Sequence, residues 1–388
     1  MSRRYWRLVS LITGWHVIAS ICFYAVSAGT PFFRNAFDLS SFEVGLVITV
    51  LMLGYAVVLL PLGIATDRFG ERIALTLGLL GLGTGTLLVA LAPVYGLLLV
   101  AVFVLGATYG TATPGTNKAI FDNIEKGKQH RAMGIKQIGP TAGSAIGAVL
   151  ITGLAGVFFW QLGFVLAAAF AALVAGGFYV LYTTVETTTA TLPSFRSLLS
   201  NRPYLVLLVA GACIGAVVYT TVGYTVLYVE ESIGTAVAFA GLVLASVQVS
   251  SSIGRVVVGR LADVSVRAPR VWVGALLAAQ TFVAAVLFVG VSVVDTPAGA
   301  AVVLSAIGFF GLGTTGLYFS YISTIVTDDA LGSASAAGQL AAVVGGLFTP
   351  PAFGLLVDTV GYDAAWLFLG GLSLGAAVLV SAVVVAVR

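Results

Sequence analysis

Twelve apolar runs of about twenty residues or more succeed one another along this chain, each long enough to cross ~30 Å of hydrocarbon. They fall at 9–32, 43–65, 73–92, 95–117, 132–155, 160–182, 204–229, 237–259, 271–293, 298–325, 334–357 and 363–387. A hydrophobic share of 59% against 9% charged residues places the chain outside soluble globular usage. In hydrocarbon every backbone polar group must be satisfied within the segment or by a closed barrel. Runs of this length without alternation at every second residue select helices. The expected fold is therefore an all-α integral membrane protein with twelve transmembrane helices.

The charged residues organise those helices. Gly63-Ile64-Ala65-Thr66-Asp67-Arg68-Phe69-Gly70-Glu71-Arg72 places four charges within six residues between the second and third runs, as expected of a short hydrophilic hairpin. The pattern G-x-x-x-D returns at Gly259–Asp263, and Asp263 follows Asp67 by 196 residues in a chain of 388. A repeat at half-length implies two copies of one membrane unit. The longest connection, 183–203, holds Pro193, Arg196, Arg202 and Pro203 and is expected to link two pseudo-symmetric six-helix bundles, 1–182 and 204–388.

Orientation follows from the basic residues. With the start of the chain inside, alternate connections collect fifteen of the 18 Lys and Arg residues, from Arg3, Arg4 and Arg7 through Arg68, Arg72 and Lys118 to Arg270 and Arg388. The opposite side holds Arg34 among seven carboxylates: Asp38, Glu43, Glu230, Glu231, Asp295, Asp358 and Asp363. Both termini are expected to be cytoplasmic. The start resembles a twin-arginine signal at Ser2-Arg3-Arg4, but its apolar run is long enough to span, so an uncleaved first helix is expected. Cys22 and Cys213 both lie in apolar runs and are expected to be small packing residues.

The loop Gly63-x-x-x-Asp67-Arg68-x-Gly70-x-Arg72, its echo at Gly259 and Asp263, and Gly139-Pro140-x-x-Gly143 in the fifth run together resemble the major facilitator superfamily. The resemblance covers essentially the whole chain. It implies two bundles that rock about a central site, opening to each side in turn, in a monomer in the plasma membrane. It also implies that Asp67 faces the start of the eleventh helix near Ser333–Ser335 and latches one conformation. Gly63, Asp67, Arg68, Gly70, Arg72, Gly259, Asp263, Gly139, Pro140 and Gly143 are accordingly the expected gating residues. Gly139, Gly143 and Gly147 form a small-residue stripe that lets another helix approach, and Gly78, Gly81 and Gly85 form a looser one.

Two cations remain within the spans, Lys136 in the fifth and Arg255 in the eighth, and no carboxylate falls clearly inside any. Lys136 is five residues past Arg131, about 7 Å along a helix, from where it either snorkels to the surface or faces the cavity. Arg255, about 12 Å of helix before Asp263, is deeper and needs an anion or dipole partner. A substrate anion is the expected partner. Arg255 also resembles the arginine of the monocarboxylate and oxalate-type branch, although Ser251 stands where some members carry an acid one turn earlier. Gln137, Gln248 and Gln339 are expected to hydrogen-bond the substrate, with His16, Tyr24, Tyr219 and Tyr224 lining its cavity. His16 is the one side chain in a span able to change charge near neutral pH.

There is no G-x-x-x-x-G-K-[ST], and the two histidines and two cysteines offer no metal cluster, so neither a nucleotide-driven pump nor a cofactor is expected. Nothing in the distribution of charge suggests nucleic acid. The expected partners are a small-molecule substrate, a coupling ion and the bilayer. Two functions compete: alternating-access transport of a small organic or inorganic anion, and export of amphipathic hydrophobic compounds. The Gly-Pro element favours export. Gly106-Ala107-Thr108-Tyr109-Gly110 counts against it, lacking the fourth-helix arginine that the superfamily's drug antiporters usually carry.

Overall fold

The computed structural model describes residues 3–125, 128–183, 198–263, 269–327 and 330–387, leaving aside the side chains of Leu60, Asp67, His130 and Leu199. Most of the expected linker, 184–197, therefore lies outside the described residues. Among the described residues, twelve helices are long and apolar enough to cross a membrane. The first six are α1 Arg3–Ala28, α2 Ser41–Phe69, α3 Glu71–Leu91, α4 Tyr95–Asn123, α5 Arg131–Ala155 and α6 Gln161–Leu181. The second six are α7 Arg202–Glu231, α8 Val237–Ala262, α9 Arg270–Val291, α10 Pro297–Ile325, α11 Leu331–Thr359 and α12 Tyr362–Ala386. Exposed Leu77, Leu173, Val180, Val286 and Val385 form the apolar outer face that a bilayer requires.

Local chemistry sets the ends and the breaks. Gly70 alone joins α2 to α3, at φ +81, a conformation that favours glycine. Asn201 and Thr296 cap α7 and α10 by accepting the amides of Tyr204 and Gly299 at 3.2 Å. The helix α5 breaks at Gln137, where Pro140 cannot donate to the carbonyl of Lys136 four residues back. A π-helical segment, Gly308–Leu312, interrupts α10.

The chain forms two compact units. One comprises Met1–Asp38, Val50–Thr191 and Ala236–Ala245; the other comprises Leu39–Thr49, Leu192–Thr235 and Ser246–Arg388. Within the first, the tightest helix pairs are α1 with α5 and α3 with α6; within the second they are α7 with α11 and α9 with α12. The same pairing shifted by six helices is the structural form of the half-length repeat.

Glycines allow these approaches. A Cβ on Gly143 would fall 2.3 Å from the Val17 carbonyl oxygen of α1, and Gly139 and Gly147 meet the same helix. The stripe on α5 thus packs within its own unit. Gly78, Gly81 and Gly85 receive Thr111, Thr108 and Leu105 of α4 in the same manner. In the second unit Gly215 lies on the Ala342 carbonyl and Gly345 on that of Ala212, drawing α7 against α11.

Two short segments belong to the unit of the opposite half. The start of α2, 39–49, is held in the second unit by polar contacts. Asp358 accepts the Ser41 and Phe42 amides, and the Tyr224 hydroxyl donates to the Ser41 carbonyl at 2.6 Å. Thr49 donates at 2.6 Å to the Leu347 carbonyl, which Pro351 leaves without its helical partner. The start of α8, 236–245, lies in the first unit, where Gly241 receives the side chain of Thr152.

Candidate substrate site

In the first unit the centre of interest is Lys136, at the last turn before the break in α5. It is 2% exposed, and its Nζ donates to Asn117 Oδ1 of α4 at 2.6 Å. Of the two orientations open to it, snorkelling to the surface is not the one adopted. His16 is also buried, its Nδ1 without a hydrogen-bond partner among the described residues, and its ring lies 6.4 Å from that of Tyr109. Tyr109 stacks on Phe23 at 4.1 Å and shares a hydrogen bond with Ser20 at 3.2 Å, while Tyr55 lies 5.8 Å from it. The result is an aromatic and hydroxyl-bearing cluster drawn from α1, α2 and α4. Tyr24 is half-buried, its ring 5.2 Å from Phe23, and Gln137 is exposed at the helix break.

In the second unit Arg255 is half-buried on α8, and its stem packs beside Gly316 of α10. A Cβ there would lie 3.5 Å from Arg255 Cγ. Ser251, one turn earlier on the same face, is 1% exposed, and its Oγ has no hydrogen-bond partner among the described residues. Gln248 is buried a further turn back. Gly254 and Gly308 bring α8 and α10 close together beside the π-helical segment. Such segments are frequent at functional sites. Gln280 of α9 donates at 3.4 Å to the Phe309 carbonyl within that segment, and its own Oε1 is buried without a hydrogen-bond partner among the described residues.

The remaining candidates are distributed differently. Gln339 is half-buried on α11, and Tyr219 packs on Gly346 of that helix. Tyr224 is fully buried and donates to the Ser41 and Pro350 carbonyls, so its hydroxyl is occupied in packing.

The charged loop is less solvated than its sequence suggests. Glu71 is 0% exposed; its Oε1 accepts the Tyr182 hydroxyl at 2.9 Å and the Asn123 amide at 3.4 Å. Burial, with the Glu71 charge beside it, raises the Tyr182 phenol well above its usual range. Arg72 donates to the Tyr179 carbonyl at 2.9 Å and lies 4.3 Å over that ring. Arg68 is exposed, and the Asp67 side chain, with the latch expected of it, lies outside the described residues. Among the described residues, a Cβ on Gly63 would meet only Pro114 Cβ, at 3.9 Å, and one on Gly259 would meet nothing within 4 Å. Asp263 is exposed at the end of α8.

Asn117, Tyr55, Tyr109 and Gln280 were absent from the sequence-based set. An Asn or Gln inside an apolar run is a signal that could have found two of them, because a polar amide in hydrocarbon needs a partner. A tyrosine carries no such mark.

Comparison with known proteins decides the family. The family model described as Major Facilitator Superfamily matches residues 14–348. The chain belongs to that superfamily. This superfamily member is 23% identical over 375 residues to the hexuronate transporter of Bacillus subtilis (strain 168), covering 92% of this chain and 89% of that protein. It is 28% identical to an uncharacterised MFS-type transporter of Mycobacterium tuberculosis, covering 91% and 77% respectively. Among solved structures it superimposes on a bacterial homologue of the human lysosomal transporter Spinster with a TM-score of 0.80 at 16% identity, covering 99% and 96%. The nucleoside transporter NupG gives a TM-score of 0.80 at 14% identity, covering 97% and 99%. The superfamily member is thus a multi-pass membrane transporter of a small solute and not an enzyme.

Proposed function

We propose that this transporter moves a small organic anion across the plasma membrane by alternating access, with both ends of the chain on the cytoplasmic side. The observation that carries the reading is Lys136, a cation buried within a membrane-spanning helix whose hydrogen-bond partner is the neutral amide of Asn117. A buried charge with no counter-charge among the described residues is costly, and an anionic substrate offsets that cost. Arg255 on α8 supplies the planar fork that suits a carboxylate, and Gln137, Gln248 and Gln339 are the expected hydrogen-bonding groups. The hexuronate transporter among its relatives supports a carboxylate-bearing substrate. The aromatic and hydroxyl groups around Tyr109 suit a polyhydroxylated body on such an anion.

Uptake of glucuronate into proteoliposomes tests this reading. Lys136→Met and Arg255→Gln are each expected to reduce uptake at least tenfold while the purified proteins remain folded. Undiminished uptake in both variants, or transport by the parent of lipophilic cations alone, would contradict it.

A further inference from the structure

The first two turns of α1 carry Arg3, Arg4 and Arg7. A helix N-terminus already bears roughly +0.5 of a charge, so three guanidinium groups there oppose the macrodipole. Arg7 is accounted for: it donates at 3.1 Å to the Leu181 carbonyl, at the C-terminal end of α6, where a cation is favoured. Arg3 and Arg4 are exposed, and the nearby ion pairs Lys118–Asp122 and Lys128–Glu125 do not include them. The helix macrodipole gives no reason for either, and Arg4 also borders a neighbouring recess lined by Asp122 and Glu125.

All three arginines line one cavity of about 550 Å³, together with Leu8, Leu11, Leu181, Asn123 and Tyr182. That volume lies within the ~300–1,000 Å³ usual for small-molecule sites. Its lining changes character along the helix axis. Leu11 lies seven residues past Arg4, about 10 Å of helix rise, so the recess passes from guanidinium groups to leucines towards the middle of the span. A ligand for this recess needs an anionic head rich in acceptor oxygens and an apolar stem directed into the hydrocarbon.

We propose that the recess is a binding site for an anionic phospholipid, with the headgroup phosphate on Arg3 and Arg4 beside Arg7 and the first part of an acyl chain along Leu8 and Leu11. Planar guanidinium groups take phosphate oxygens in pairs, and basic recesses at the ends of membrane helices attract anionic headgroups. A soluble phosphate ester shares the head chemistry, but it has no use for the leucine wall.

Native mass spectrometry of the full-length protein, titrated with phosphatidylglycerol, phosphatidylcholine of matched chains and glycerol phosphate, tests the proposal. The parent is expected to bind phosphatidylglycerol at least tenfold more tightly than phosphatidylcholine. Arg3→Gln with Arg4→Gln is expected to abolish that preference. Arg202→Gln with Arg260→Gln, an equal loss of charge in the other half, is expected to retain it. No preference in the parent, equal loss in both double variants, or glycerol phosphate competing as well as phosphatidylglycerol would overturn the lipid site. If the first pair fails to fold, Leu8→Ser with Leu11→Ser provides a second reading: an affinity for phosphatidylglycerol as high as the parent's would likewise contradict it.

Discussion

Asp358, in the last turn of α11, caps the start of α2 at Ser41: one carboxylate oxygen accepts the Ser41 amide at 2.9 Å and the other the Phe42 amide at 2.8 Å. An anion here satisfies two of the four amides that a helix start leaves unpaired. Removing it as Asp358→Ala is expected to cost about 0.5–2 kcal/mol, the range for a lost helix cap. A melting temperature lowered by a few degrees, with Asp358→Asn intermediate, checks the assignment. An unchanged melting temperature in the alanine variant would contradict it.

Tyr182 and Glu71 form a buried pair 111 residues apart in sequence. Tyr182→Phe takes a donor from a buried carboxylate and is expected to destabilise by about 1–3 kcal/mol. The pH dependence has a definite sign. The folded state raises the Tyr182 phenol above its unfolded value of ~10, so its contribution is complete below that pH and declines as pH rises above it. Thermal unfolding against pH is therefore expected to show parent and Tyr182→Phe converging on the alkaline side. A gap that stays constant would show that the hydroxyl does not titrate as described.

Gly143 and Gly259 make opposite predictions from the same residue type. A Cβ on Gly143 meets backbone oxygen at 2.3 Å, whereas nothing among the described residues lies within 4 Å of one on Gly259. Gly143→Ala is expected to cost about 1–3 kcal/mol through overpacking. Gly259→Ala is expected to be neutral or to gain up to ~1 kcal/mol of helix propensity. Paired unfolding measurements decide it; equal effects would mean that the α1–α5 approach yields more readily than its geometry indicates.

The spans were legible because length and hydropathy alone decide whether a segment can cross a bilayer. The fifth was expected at 132–155 and runs Arg131–Ala155. The fourth was expected to stop at 117 but continues to Asn123, because Lys118 and Asp122 pair at 3.0 Å one turn apart and let a polar turn stay helical. The sequence places Glu71 in a short hydrophilic hairpin. Its burial depends on Tyr182 and Asn123, partners that no local pattern announces. Lys136 and Arg255 stood out as charges in apolar runs. Asn117 did not, since its importance comes from lying beside Lys136 in the folded unit.

The most direct test of the central claim is the thermal stability of the purified transporter with and without glucuronate, compared between the parent and Arg255→Gln. A ligand that binds only the folded state stabilises by ~2.7 kcal/mol at one hundred times its dissociation constant. A clear upward shift in the parent that disappears in Arg255→Gln, with the ligand-free melting temperatures alike, is the expected result. An equal shift in both proteins would show that Arg255 does not hold the anion, and a shift with lipophilic cations alone would contradict the anion reading altogether.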